Sequence, residues 1–584
     1  MNDGKSFVES LPTAPGITRL RQYASALLKG TRPPGLAWLL FGLLSLGALL
    51  EICLLALYPL WFHTGSSSGQ SWLEALWPWL GGLYRFTIVE SLLPLLDAGS
   101  LSLLVLLVGL SLQIPLWWLG NRAARYTDRV AQRTWVCIIW GMALLMGGTM
   151  VFSPLGSSVL SLDMLRSGLY GRMIVVYAVN PYTVSSQMFS QDPVVIALGN
   201  TQLVSLLSAP TYGPAWLDCT LLMTLIAREN VGVGLLGLRL MGLVTYLLTI
   251  ILLWHIVGRV RPEWRCAAVL LYAWNPLVLV LGIGQMHVEI VAACLLCVAL
   301  WCWQRGALLV GWLFLLLAVL FYLPCCLLLP VWVYFLAREY APGNPLWRWG
   351  RILLVSGFML VMAYAPYWQG WGWSGLWHQV ALLFQAPEGH SSLVTGLTWL
   401  VKGNNSWLGI LLQPGLWAMI ELVALAFWLF IGLWLTQGLD LMVTWAGWLL
   451  VLLACLYAFY QPEALLVPLA LILCAGHRWS VLLLLLLEIG SLSCDYYWLH
   501  QPTWEALGLL GVGLPILLWG WIVCIQSAWK MVRARAIPEE PVKARRGLSR
   551  FSSHFSRPSW LTKPSLRIVS RHRLTQARSR EGKV

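Results

Sequence analysis

Apolar runs long enough to cross a bilayer recur along almost the whole chain, from 35–62 near its start to 505–527 near its end, with short polar turns between them. A helix needs about 20 such residues to cross the hydrocarbon core, and backbone polar groups in lipid must bond within their own segment or around a closed barrel. An all-α, polytopic transmembrane helix bundle is the expected fold, with about 12–14 spans. Composition agrees: 59% hydrophobic residues, 11% charged residues and a mean hydropathy of +0.73 leave too little polar surface for several soluble domains in 584 residues.

Basic residues orient the turns. Arg19, Arg21, Lys29 and Arg32 precede the first run and mark 1–34 as a cytoplasmic N-terminal segment with no cleavable signal. The four arginines of the stretch 121–133 keep the turn after the second run (100–120) inside, and a third run, 134–152, leads outward. The connection 153–230 is then external, and a fourth run, 231–257, returns to the basic turn at Arg259 and Arg261. Runs at 265–284 and 288–303 meet in an outer turn, Gly284 to Glu289. The stretch 307–337 is too long for one crossing, and Pro324 is the place to break it. After 352–367, a second outer loop, 368–405, is rich in Trp and Gly, and runs at 408–435, 443–459, 463–476, 480–494 and 505–527 bring the chain back inside. The transmembrane domain is thus 35–530, in a plasma membrane, with both termini cytoplasmic.

The net charge of +14 does not indicate a nucleic-acid partner. From Lys530 to Val584 there are 15 Lys/Arg against 3 Asp/Glu, so nearly all the excess sits in a basic tail, 531–584, that reads as disordered and cytoplasmic, beside anionic lipid. The 13 cysteines lie mostly in apolar runs, where they act as small hydrophobes, with no metal-ligand spacing. Most of the 37 tryptophans read as interfacial belts, while Trp368, Trp371, Trp373 and Trp377 are also suited to stacking on sugar faces.

Polar chemistry concentrates in 161–182. Asp163 is a candidate general base, and Arg172 a candidate partner for an anionic leaving group such as phosphate; an ordinary solvated loop pair is the alternative. Arg239 falls inside the fourth run, where a charge is costly; it either snorkels to the interface or meets a lipid phosphate. His287 and Glu289 share the outer turn, but two residues are too few for zinc or manganese without further ligands. Glu51, Glu421 and Glu488 also fall within runs.

These residues resemble a family. Asp163 to Gly171-Arg172 is similar to the D-x7-G-R signature of the polyprenol-phosphate-mannose-dependent α-mannosyltransferases of actinobacterial envelopes, in the C-type glycosyltransferase superfamily. Asn180-Pro181-Tyr182-Thr183-Val184, Tyr212-Gly213-Pro214, Asn275-Pro276-Leu277 and the turn Gly284–Glu289 resemble further blocks in the same order. The family's two tyrosines after the aspartate are Leu165 and Ser167 here, Val288 and Glu289 replace Asn and Asp, and no lysine precedes Pro324. The resemblance implies an inverting transfer of a hexose, mannose by preference, from a polyprenyl-phosphate donor to a glycan or glycolipid acceptor at the outer face. It implies Asp163 as catalytic base, Arg172 and Arg239 at the donor phosphate, and Tyr170, Asn180, Tyr182, Tyr212, Asn275, His287 and Glu289 around substrate. No cofactor is required, and a divalent cation such as Mg2+ or Mn2+ is compatible. A lipid or sugar transporter, with essential ionisable groups near the midplane, and a scaffold acting through its basic tail are the readings from other classes.

Overall fold

The computed structural model describes residues 129–151, 163–197, 212–228, 230–339, 345–382, 414–435, 439–456 and 462–497, with fragments of 111–118 and 518–529. The first run, most of the second, the tail and Glu51 lie outside the described residues. The chain divides into Met1–Trp529 and Lys530–Val584, and all the described residues belong to the first unit.

Its helices are α1 (Arg129–Val151), α2 (Asp163–Val175), α3 (Pro193–Ala197), α4 (Pro214–Ala227), α5 (Val231–Val260), α6 (Arg265–Ala273), α7 (Val288–Gln304), α8 (Leu308–Phe321), α9 (Leu328–Glu339), α10 (Pro345–Tyr364), α11 (Gly372–Leu382), α12 (Pro414–Leu435), α13 (Leu439–Leu456), α14 (Leu466–Ala475) and α15 (Arg478–Tyr497). There is no strand among the described residues. The protein is an all-α helical bundle, and four of the described helices are long and apolar enough to span a membrane: Val231–Val260, Trp349–Tyr367, Leu416–Trp434 and Leu439–Leu456. Several shorter apolar helices, such as Val288–Gln304 and Pro462–Ala475, fill the bundle between them.

One run expected to be continuous is divided, and the run expected to break does so. The run 265–284 is α6 followed by a π-helical segment, Val278–Gly284, bent by 57° from it. Pro276 causes the break, and Asn275 repairs it: its side-chain oxygen accepts from the Leu277 N–H at 2.8 Å, and its amide donates to Glu488 at 2.8 Å. The run 307–337 breaks at the expected proline, with Tyr322 ending α8 and a 3-10 turn, Leu323–Leu327, leading into α9.

The connection 153–230 is helical over much of its described length. In α2 the apolar residues Met164, Leu165, Leu169, Tyr170 and Met173 are buried, and so are Asp163, Ser167, Gly171 and Arg172, so the helix is enclosed on nearly every side. Its Ser167 and Gly171 side packs on α4: the Trp216 indole donates to the Ser167 hydroxyl at 3.0 Å, and a Cβ on Gly171 would collide with the Thr224 hydroxyl and the Thr220 carbonyl. Tryptophans also depart from the belt pattern. Trp216, Trp264, Trp274, Trp332, Trp428, Trp445 and Trp448 are among the largest fully buried side chains, whereas Trp373 and Trp377 are exposed. Trp428 and Trp445 stack at 4.1 Å, each indole N–H directed at the other's carbonyl, which satisfies the polar edge inside the bundle.

Candidate active site

Three helix starts converge on His287. Asp163 opens α2, Glu289 lies in the first turn of α7, and Glu463 lies in the 3-10 turn Pro462–Leu465 that leads into α14. A helix N-terminus carries partial positive charge, which favours a carboxylate there over one elsewhere in a buried site. Nδ1 of His287 stands 3.1 Å from Oδ2 of Asp163, 3.7 Å from Oε1 of Glu463 and 3.8 Å from Oε2 of Glu289. All four residues are buried, and His287 is 0% exposed.

A strained turn aims the imidazole. Met286 has φ 50°, in the left-handed region that costs a non-glycine residue energy, and it directly precedes His287, the extended cap of α7. Arg239 holds the carbonyls at this turn, donating from Nε to Gly284 at 2.8 Å and from a terminal nitrogen to Val151 at 3.2 Å. Gly242, one helical turn along α5, leaves room for the Met286 sulfur, 2.7 Å from where a Cβ would stand.

Electrostatics separate the acids and bases. Burial opposes ionisation of Asp163, yet the adjacent imidazole of His287, the charge of Arg166 and a hydrogen bond from Tyr212 outweigh it. The carboxyl is held below the usual carboxylate range. Burial would likewise lower His287, but the carboxylates of Glu463, Asp163 and Glu289 raise it to about 9. Burial pushes the phenols of Tyr170 and Tyr212 up, so both stay O–H donors. Arg166 donates to Oδ1 of Asp163 at 2.9 Å, so each oxygen of that carboxylate faces a different positive group.

The remaining motif residues frame this cluster. Tyr212 enters it, Gly213 lets the chain approach the Leu320 carbonyl closely, and Pro214 starts α4. Asn180 donates to the Tyr367 carbonyl at 2.8 Å and accepts from the Tyr182 N–H at 3.0 Å, closing the Asn-Pro-Tyr turn. Tyr182 donates to the Tyr212 carbonyl at 2.8 Å and stacks on Trp371, and Gln379 donates to the same carbonyl at 2.7 Å. Tyr182, Trp371 and α11 thus brace the loop that carries Tyr212.

Of the residues singled out in the sequence, Asp163, Tyr170, Tyr212, His287 and Glu289 come together. Three are placed elsewhere. Arg172 grips buried Asp192 with Nε at 3.0 and 2.8 Å from its two oxygens, and lines a cleft between α2, α4 and α5 with Thr220, Thr224 and Asn230. Arg239 serves backbone carbonyls, and Asn275 serves the α6 bend. Arg166, Asp192 and Glu463 join the functional residues only in the structure. Arg166 has a legible signal, since i and i+3 share a helix face once α2 is recognised as a helix. Glu463 carries a weaker signal, as a carboxylate at the outer end of an expected run, and Asp192 carries none.

No curated protein and no solved structure matches the chain. Residues 64–338 match the family model described as alpha-(1->6)-mannopyranosyltransferase, N-terminal domain. The stretch that holds Asp163, Arg166, Tyr212, His287 and Glu289 therefore resembles that mannosyltransferase family, and the match supports mannosyltransferase activity.

Proposed function

We propose that the protein transfers a mannosyl group from a polyprenyl-phosphate carrier to a hydroxyl of a glycan or glycolipid, with inversion, at the outer face of the plasma membrane. The observation that carries this reading is the buried carboxyl group of Asp163, 3.1 Å from His287 where helix N-termini meet, inside the stretch similar to the family.

In this reaction the acceptor oxygen attacks the anomeric carbon and the bond from that carbon to the phosphate oxygen breaks. The electron pair leaves with the polyprenyl phosphate, and the acceptor proton passes to Asp163. General-base help of this kind contributes typically ~10²–10⁴ in rate. The contacts that keep Asp163 ionised also make it a weak base at rest, so proton uptake requires the Arg166 or His287 contact to lengthen as the acceptor oxygen arrives. Arg166, part-buried beside the base, meets the departing phosphate. Arg172 and Arg239 support the site from behind, through Asp192 and through the His287 turn.

A transporter reading is less favoured. Its described midplane candidate, Glu488, accepts a hydrogen bond from Asn275 at a structural bend, and the family match points to group transfer. The test uses detergent-purified protein with a polyprenyl-phosphate mannose and an α-mannoside acceptor. Wild type transfers, and Asp163→Asn retains its fold and loses ~10²–10⁴ of the rate. Near-normal transfer by the variant refutes the base; no transfer by wild type from any polyprenyl-phosphate hexose refutes the function.

A further inference from the structure

We propose that Asp163, His287 and Glu463, with Glu289 as a fourth donor, form a binding site for one divalent cation of the Mg2+/Mn2+ class.

The argument starts from distances. One ligand atom from each of Asp163, His287 and Glu463 lies within 4.8 Å of the others, and the three carboxylate oxygens stand 3.1, 3.7 and 3.8 Å from Nδ1 of His287. Ligand atoms bound at about 2.0–2.2 Å to a common ion lie roughly 3–4.4 Å apart, so the three separations from Nδ1 already have the spacing of a coordination shell.

The second observation is unsatisfied polarity. Neither ring nitrogen of His287 makes a hydrogen bond of good alignment, although the ring is 0% exposed, and Oε2 of Glu289, pointing at the same nitrogen, has none either. Buried polar atoms are normally satisfied, and each exception calls for an explanation. A proton on Nδ1 lies on one line and serves one carboxylate at best. A cation at the centre meets Nδ1 and the carboxylate oxygens around it at once.

The donor chemistry selects the metal. Three carboxylates make the donor set mainly hard and oxygen-rich, of the kind Mg2+ and Mn2+ take, with one borderline imidazole beside them and no thiolate in the set. The surroundings are also built: Arg239 fixes the carbonyl at Gly284, and the Met286 turn holds the imidazole ring in place, the outer support that metal sites rely on. Positive charge at this point stabilises a departing phosphate; that consequence rests on the transfer reaction proposed above, and the binding itself does not.

The experiment strips full-length protein in detergent with a chelator and titrates it with Mn2+ alone, reading free Mn2+ by electron paramagnetic resonance. Saturable binding of one Mn2+ per chain is expected, with a rise in the thermal midpoint. Glu463→Gln, and separately His287→Gln, should weaken binding at least ~10–100-fold and remove that rise while melting cooperatively without metal. Wild-type protein that binds no Mn2+, or variants that bind it as tightly as wild type, would overturn the site. Neither donor nor acceptor is present, so this failure is distinct from failure of the transfer reaction, which would appear as Mn2+ binding by a protein that moves no mannose.

Discussion

Arg172 and Asp192 offer the sharpest separation of architecture from chemistry. Their contact is bifurcated, with Nε 3.0 and 2.8 Å from the two carboxylate oxygens, and the Asp192 side chain is fully buried. Asp192 also accepts from the Tyr177 hydroxyl at 3.0 Å and the Val194 N–H at 2.8 Å, so the carboxylate knots the end of α2 to the start of α3. Arg172→Met leaves that carboxylate buried without its cation, at a cost of about 3–5 kcal/mol. Asp192→Asn keeps an oxygen facing the guanidinium and should cost less, about 1–3 kcal/mol. In the double variant the charge mismatch is gone, and the loss should fall short of the summed single losses by at least ~1.5 kcal/mol. Steric-trapping or denaturant titration in a fixed detergent measures all four proteins, with transfer rates recorded alongside. If Arg172→Met is as stable as wild type and still loses transfer, the guanidinium serves substrate rather than Asp192, and the structural assignment fails.

The geometry sets three further outcomes. Gly213→Ala places a Cβ against the Leu320 backbone carbonyl, which cannot swing aside, so about 1–3 kcal/mol of destabilisation and displacement of Tyr212 are expected; unchanged stability and transfer would contradict the close approach. Arg239→Met strips the Gly284 and Val151 carbonyls of a buried donor at about 1–3 kcal/mol each, and it should lower stability and kcat together, whereas a raised KM for the donor with intact stability would mean direct phosphate binding. Deleting 531–584 should leave transfer in detergent near the full-length rate; its loss would favour a scaffold acting through the basic tail.

Much of the bundle is legible because lipid imposes a length and a polarity rule that a single sequence displays. The 231–257 run is the long helix Val231–Val260, and Pro324 breaks its stretch where a missing N–H and a fixed φ demand. The bend at Trp274–Leu277 is hidden inside an unbroken apolar run, although Asn275-Pro276 marks it. Asn275 reads as a substrate contact by resemblance, and its two hydrogen bonds place it at that bend instead.

The chemistry divides along the same line. Asp163, His287 and Glu289 stand out from the sequence alone, as polar groups at the outer ends of apolar runs in blocks that resemble the family's order. Which groups they meet is decided by the fold: Glu463, far along the chain, reaches the same imidazole, and Arg172 turns to Asp192. Hydropathy and prolines are local properties, summed along the backbone before any contact forms. A shell of donors around one point is set by how distant helices pack, and only the tertiary structure records it.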